Sequence, residues 1–459
     1  MKREILGVDT IPNEERNASP NTLVTVFLGA NLSLSVMVFG WLSILYGLSW
    51  WESVSAILVG TFLGAVFVAS SSLLGWRGAT NNSVASGAFF GVKGRLIASF
   101  VGLLLCLQYV ALTIWTGGEA FAAGISRITN TESTNLELSI GYALIAAIIV
   151  VFAIFGYRWL VRVNQFVAPA MGVLMILSVI ALWDKFDPAY AGTPDKYALG
   201  SFWPTWFLAV LTCGAAGPIS YVTQTGDWSR YISEQANPKD VVLKTFYALT
   251  LGLSIPTLFG AFVAVAAFDE DSFVGGYVAN SPEWLLVPLL LIAVVGSLGQ
   301  GGINLYSMGL DLDAILPKLK RNQSTALVAF ISTLLVFIGK FVYDAESAVT
   351  NSVLFLTVLA TSWLSITLYM FAKAKGVLDQ DALQVFNAGK TGGMYWFKNG
   401  WNIRVVVAWI VGSAIGILGI STVDYVGPIA DFLHGIDVSI PASGVSSLLV
   451  LSLLKVKDR

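Results

Sequence analysis

The sequence is short of charge, of cysteine and above all of histidine. Asp, Glu, Lys and Arg together make up 12% of the 459 residues, against 56% hydrophobic residues. That is about half the charged fraction of ordinary soluble domains. A single histidine, His434 in the last connection, excludes a paired-histidine zinc motif. The two cysteines, Cys106 and Cys213, both lie in apolar segments and read as small buried residues, not as a disulfide or metal framework. A net charge of −2 supplies no basic field for nucleic acid. No Gly-x-Ser-x-Gly occurs. The tripeptide Gly389-Lys390-Thr391 is similar to the end of a phosphate-binding loop, but the glycine required five residues earlier is Gln384. These absences argue against an enzyme, a nucleotide-driven pump, a resident cofactor and a structural metal.

What the sequence has is long uncharged apolar runs. A run of about 20 such residues crosses a bilayer core as a helix, because only a helix bonds every backbone group within its own segment. Twelve runs qualify, near 22–49, 52–74, 96–121, 138–157, 164–183, 203–225, 242–268, 285–310, 324–343, 348–374, 403–421 and 435–454, numbered here as spans 1 to 12. The first 21 residues are polar and carry Lys2, Arg3, Glu14, Glu15 and Arg16, unlike a signal peptide. A polar, Gly-rich stretch at 375–402 reads as a linker before the last two spans. The basic residues test the count. With twelve spans, one face collects both termini and every second loop, and 22 of the 26 Lys and Arg residues fall there. Only Arg127, Lys185, Lys196 and Lys340 fall on the other face. One span more or fewer would destroy this bias, so both termini are expected on the cytoplasmic side of a plasma or inner membrane.

Irregular backbone survives at membrane depth only where it is packed in protein or lines a cavity. Span 1 is interrupted by Gly29-Ala30-Asn31-Leu32-Ser33-Leu34-Ser35. Span 6, five spans later, carries Cys213-Gly214-Ala215-Ala216-Gly217-Pro218-Ile219-Ser220, in which Pro218 lacks a backbone donor. Paired breaks of this kind mark the solute site of transporters built from inverted repeats. In span 8, Gln300 and Asn304 lie one turn apart among glycines and are expected to face the bundle interior. In span 3, Gln108, Tyr109 and Thr113 fall near mid-membrane, where an aromatic ring beside hydrogen-bonding groups suits a flat, polar-edged compound.

Taken in order, these segments resemble the nucleobase–cation symport family, which includes cytosine, purine–cytosine and hydantoin or allantoin permeases. The resemblance runs from Gly7-Val8-Asp9-Thr10-Ile11-Pro12 through Gly29-Ala30-Asn31, Arg77-Gly78-Ala79 and Phe90-Gly91-Val92-Lys93-Gly94. It continues with Trp115-Thr116-Gly117-Gly118-Glu119-Ala120, Gly226-Asp227-Trp228-Ser229-Arg230-Tyr231, and the stretch from Asn304 to Leu312. It closes on Gly393-Met394-Tyr395 and Gly400-Trp401-Asn402. It implies an all-α membrane protein of twelve helices: a five-plus-five inverted repeat (22–183 and 203–374) with broken helices 1 and 6, then two further helices over 403–455. It also implies a symporter that imports a nucleobase-like heterocycle by alternating access. The stacking aromatic of span 3 corresponds to Tyr109 and its polar partner to Thr113. Asn304 matches the span 8 asparagine, and Asn31, Gln108, Gly217, Ser220 and Gln300 complete the expected site. The second stacking aromatic corresponds to Pro218, which has no ring face to offer; stacking on an aromatic is worth about 1–3 kcal/mol per base. Tyr221 and Trp228 are the nearest aromatics.

For the coupling cation, the resemblance places sodium between span 1 carbonyls, around Ala30 and Ser33, and span 8 hydroxyls. The span 8 counterparts are Val295, Leu298 and Gly299, none with a side-chain oxygen, and Ser297 is one position away. Proton coupling is therefore expected over sodium, with Glu119 or Asp227 as the carboxyl that carries it. Arg230 stands close enough in sequence to pair with Asp227 instead. A carrier of another flat heterocycle, such as allantoin, a hydantoin or a vitamin, and a channel or receptor on the same fold, are the alternatives.

Overall fold

The structure, a computed structural model, describes residues 4, 6–269, 272–319, 321–343 and 346–455, with the backbone alone at 342–343 and 346–351. It is all-helical; among the described residues the only β pairing is three isolated bridges. Among the described residues nine helices are long and apolar enough to cross a membrane, and they fall on the runs numbered 2 to 10, from Trp50–Gly78 to Ser352–Lys373. Span 1 is a bent pair, Asn21–Asn31 and Leu34–Leu45. Ile403–Leu418 and Ser439–Leu453 occupy the last two runs but are shorter. A helix of their length reaches about 24 Å, less than the ~30 Å hydrocarbon core.

Burial sorts the spans into a centre and a rim. The apolar window of span 6 (Phe202–Ser229) is 83% buried and that of span 7 (Pro238–Ala266) 72%, against 33% for spans 4, 5 and 9. The rim helices turn large apolar residues outward, such as Phe166, Ile176 and Ile180 of span 5 and Phe330 and Leu334 of span 9. In lipid these side chains cost nothing, so amphipathic patterning is not required of them. At the centre, small residues let backbones touch. A Cβ at Gly260 of span 7 would stand 1.8 Å from the Met37 carbonyl oxygen of span 1, and one at Gly60 of span 2 would stand 2.1 Å from the Val210 oxygen of span 6.

The two irregular helices lie within this centre. Span 1 bends by 64° at Leu32 and Ser33. Asn31 ends the first half by turning its Nδ2 back onto the Phe27 carbonyl at 2.7 Å. Extended Ser33 then starts the second half, its carbonyl accepting from Val36 and Met37 at 3.1 Å. Span 6 is irregular over a longer stretch than its Gly-Pro segment suggests. It runs as an α-helix over Phe202–Ala209, widens to a π-helix over Val210–Ala215, resumes at Ala216–Ser220, turns through Tyr221 to Gln224, and ends at Thr225–Ser229. Pro218 accounts for the widening: its ring displaces the carbonyl four residues back, at Gly214, inside the π segment.

The region 375–402 is not a free linker. Lys93 N donates to Gly400 O at 2.8 Å, Asn402 N to Phe90 O at 2.8 Å and Asn402 Nδ2 to Phe89 O at 2.8 Å. Gly400 and Gly91 both have positive φ, and a Cβ on Gly91 would stand 2.4 Å from the Gly400 carbonyl oxygen. This region therefore caps the segment between spans 2 and 3. At the same end of the bundle the N-terminal tail crosses the helix termini. Ile11 N bonds Ala79 O at 2.8 Å, and Glu4 sits between Arg230 (3.3 Å) and Arg321 (3.6 Å), accepting from the Tyr306 hydroxyl at 3.0 Å.

Candidate solute site

Where the span 1 bend meets spans 6 and 8, polar side chains converge in the apolar bundle. Tyr221, in the span 6 turn, aims its hydroxyl at Asn31 Oδ1 (2.7 Å) and Gln300 Oε1 (3.0 Å). Its ring meets Phe27 edge-on, with centroids 5.1 Å apart. Gln224, at the end of the same turn, donates to Asn304 Oδ1 at 3.2 Å, and Asn304 Nδ2 donates back to Gln300 O at 2.9 Å. Spans 1, 6 and 8 are thus joined through five side chains, Asn31, Tyr221, Gln224, Gln300 and Asn304. Span 3 closes the remaining side. Tyr109 lies near Ser220 and Tyr221, with its ring tilted against Phe39 at 6.2 Å. Thr113 bonds its own helix at Tyr109 O (2.6 Å) and reaches Ser35 Oγ of span 1 at 3.1 Å.

Buried polar groups in folded proteins are nearly all paired, and the exceptions mark functional sites or missing ligands. Here the Tyr109 hydroxyl and Gln224 Oε1 are buried with no hydrogen-bond partner among the described residues. The Tyr221 hydroxyl also has one hydrogen for two carbonyl acceptors, so one of those acceptors is always short of a donor. The arrangement is therefore a set of unsatisfied groups beside two tyrosine rings and two phenylalanine rings.

Not all the residues expected from sequence gather here. Asn31, Tyr109, Thr113, Ser220, Gln300 and Asn304 do. Pro218 does not: a Cβ on Gly64 of span 2 would stand 3.1 Å from its ring, so it packs outward on that helix. Gly217 faces Leu253 of span 7. The π-helix is the reason, because it rotates every later residue of span 6 relative to a regular α-helix and brings Tyr221 inward. Gln108 turns to span 10, donating to Ser352 Oγ. Trp228 packs between Tyr157 and Tyr306 at the end of the helix that faces the N-terminal tail.

The expected cation ligands also separate. Ser297 Oγ bonds its own helix at Ala293 O (2.6 Å) and faces Gly117 of span 3, away from the span 1 bend. Ser33 Oγ is engaged with Ser35 Oγ at 2.9 Å. At the bend, span 8 presents glycines. A Cβ on Gly299 would stand 2.9 Å from Gly29 O and 3.1 Å from both Ala30 Cα and Asn164 Oδ1, and one on Gly296 would stand 3.2 Å from Leu32 O. Asn164 of span 5 was not foreseen. Its Oδ1 is buried without a hydrogen-bond partner among the described residues. The bend therefore offers carbonyl oxygens but no span 8 hydroxyl, a poor cage for a hard cation that prefers six or so oxygens. Glu119 pairs with Lys340 of span 9 at 3.1 Å, and Lys340 also lies 5.5 Å from the Trp115 ring. Arg230 pairs with Glu4, not with Asp227, whose Oδ1 lacks a hydrogen-bond partner among the described residues.

A family profile for permeases of cytosine/purines, uracil, thiamine and allantoin matches residues 10–439 of this chain. The chain belongs to that family. The permease is 25% identical to the putative purine-cytosine permease YxlA of Bacillus subtilis over 472 aligned residues, 99% of this chain and 96% of the relative. It is 21% identical to the thiamine transporter THI72 of Saccharomyces cerevisiae, over 85% of this chain and 68% of that one. Among solved structures it shares the fold of Mhp1, a nucleobase-cation-symport-1 family transporter in a closed conformation with bromovinylhydantoin bound. The TM-score is 0.76 at 17% identity, covering 98% of this chain and 96% of that one. The protein is a multi-pass membrane transporter. Neither Tyr221 nor Gln224 could be assigned from spacing along a regular helix; a Pro three residues before an aromatic in a Gly-rich span was the available signal.

Proposed function

We propose that the permease imports a nucleobase or a closely related N–H-bearing heterocycle by alternating access, driven by protons rather than sodium. The single observation that carries the substrate class is the Tyr221 cluster. A ring N–H supplies the donor that Asn31 or Gln300 lacks, and a ring acceptor takes the Tyr109 hydroxyl. The flat π face lies against Tyr109, as base–aromatic stacking requires. Thr113, Ser220 and Asn304 line the same space. Tyr221 and Phe39 supply the aromatic surface that Pro218 does not.

Spans 1–5 and 6–10 are read as two inverted repeats, each beginning with an irregular helix, with spans 11 and 12 added and both termini cytoplasmic. Rocking of one bundle about the span 1 bend and the span 6 turn opens the site first to one side and then to the other. Proton coupling is supported by glycines standing where span 8 hydroxyls would hold sodium, and by buried carboxyls between the site and the N-terminal tail.

The test is uptake into proteoliposomes of labelled cytosine, uracil, hypoxanthine, adenine and allantoin, with proton and sodium gradients imposed separately. Proton-driven accumulation of one of these is the expected result. Accumulation that follows only sodium would refute the coupling. No movement of any of them under either gradient would refute the substrate class.

A further inference from the structure

Seven residues beyond Asn304, on the same face of span 8 and about 10 Å toward the N-terminal tail, lies Asp311, only 3% exposed. Its Oδ1 accepts from Ser83 Oγ at 2.9 Å, in the short helix Asn82–Ala85. Its Oδ2 points at Gly102 of span 3. A Cβ there would stand 2.4 Å from Asp311 Oδ2 and 2.8 Å from Thr223 Oγ1, so both oxygens enter the space the glycine leaves open. Thr223 belongs to the span 6 turn and is 2% exposed, and its hydroxyl has no hydrogen-bond partner among the described residues. Asp227, also 2% exposed, follows in span 6 with Oδ1 unpartnered among the described residues. Opposite it stands Ser307 Oγ of span 8, fully buried.

The charges around this pair do not balance it. Asp311 faces Asp227 from span 6 and the Cys106 thiol from span 3, while the helix at 82–85 brings it only a hydroxyl. Asp227 faces Asp311, Cys106, Arg230 and Glu4. Arg230 is already committed: it donates to Gly7 O at 2.5 Å and Tyr306 Oη at 2.9 Å, and it pairs with Glu4 at 3.3 Å. Two buried carboxylates cannot both stay ionised beside one shared cation, and the usual remedy is to bind a proton. Thr223 and Ser307 offer hydroxyls that donate to the ionised form or accept from the protonated one.

We propose that Asp311 and Asp227 hold one exchangeable proton between them and form the proton-binding site of the transport cycle. This rests on the proton-coupled reading above. The span 6 turn supplies the link to the solute: Gln224 holds Asn304, while Thr223 in the same turn borders the space at Gly102 that Asp311 also enters. Solute occupancy and protonation therefore bias one element. Opening of the tail end hydrates the pair and favours release of the proton; closure dries it and favours retention.

The first test reads the proton without any solute. Infrared spectra of the purified permease should show a protonated carboxyl C=O stretch at neutral pH that disappears as one proton is removed at higher pH. In Asp311→Asn that titration should move to lower pH, because Asp227 loses its like-charged neighbour. Absence of the band in the unaltered protein at neutral pH would overturn the proposal, as would an unchanged titration in Asp311→Asn. Displacement of the band by sodium at constant pH would overturn it in favour of a metal-cation site. The second test compares gradient-driven uptake of a labelled base with its counterflow exchange. In Asp311→Asn the ratio should fall by about tenfold or more, and an unchanged ratio would also overturn the proposal. Should no base move in the unaltered permease, the heterocycle reading fails while the infrared titration still decides the proton pair.

Discussion

Tyr221→Phe is the sharpest perturbation of the solute site, because it removes one oxygen and leaves the ring. That oxygen lies 2.7 Å from Asn31 Oδ1 and 3.0 Å from Gln300 Oε1. Asn31 Nδ2 is held by the Phe27 carbonyl, so the amide has no reason to turn over when its partner disappears. The variant therefore leaves two buried carbonyl oxygens without a donor, where the parent left one. Stranding a buried acceptor costs about 1–3 kcal/mol, which is about 5- to 150-fold in an equilibrium constant. The sign of the effect on affinity depends on what the solute brings. A solute with one N–H relieves one stranded acceptor in the parent and one in the variant, so the KM for uptake should stay within about twofold, while the extra stranded acceptor lowers the stability of the folded protein by an amount in that range. The melting temperature of the purified variant, read beside initial-rate uptake in proteoliposomes, gives the answer. An unchanged melting temperature, or a KM raised by about tenfold or more, would refute this account of Tyr221.

Tyr109→Ala should abolish measurable uptake while the protein still inserts and purifies, since it removes both the stacking face and an unpaired hydroxyl; normal uptake would exclude stacking there. Pro218→Ala should leave solute affinity unaltered, because its ring packs on Gly64, and a titration of binding by intrinsic fluorescence checks this. Glu119→Gln breaks the partly buried pair with Lys340 without touching the solute site, so proton-driven uptake should persist. Its loss would reinstate Glu119 as a carrier. Gly299→Ala forces a methyl to within 2.9 Å of the Gly29 carbonyl, and overpacking of this kind costs about 1–3 kcal/mol. The variant should melt at a lower temperature in detergent, and an unchanged melting point would mean that spans 1 and 8 are less closely packed.

Much of the molecule was legible from one dimension because the bilayer leaves few options. A run without charge, about 20 residues long, has to be a helix in lipid, and the nine long helices fall on runs visible in the sequence. The span 1 bend lies inside Gly29–Ser35, where Asn31 and two serines offer the backbone alternatives to helix bonding. Span 6 resisted because one wide turn shifts every later side chain. Counting from a matched motif assumes 3.6 residues per turn, so it assigned Pro218 to the site and left Tyr221 out. Asp311 lies in the stretch from Asn304 to Leu312, where a carboxyl near a helix end in sequence looks solvated until its neighbours are known.

The sequence by itself determined the class of molecule, the number of apolar runs, the charge asymmetry between their ends and the approximate place of the first break. Each of these depends on local composition against a uniform solvent. Tertiary structure alone decided which polar groups meet. The segment at Phe90–Gly94 and the glycines at 393–400 are separate motifs in the chain, yet they form one docked cap. Glu4 takes Arg230 away from Asp227. Asn164 reaches the span 1 bend from span 5, and among the described residues Asp311 finds Asp227 with no free cation beside it. Those outcomes turn on helix rotation and on distances between helices far apart in sequence, and hydropathy carries neither quantity.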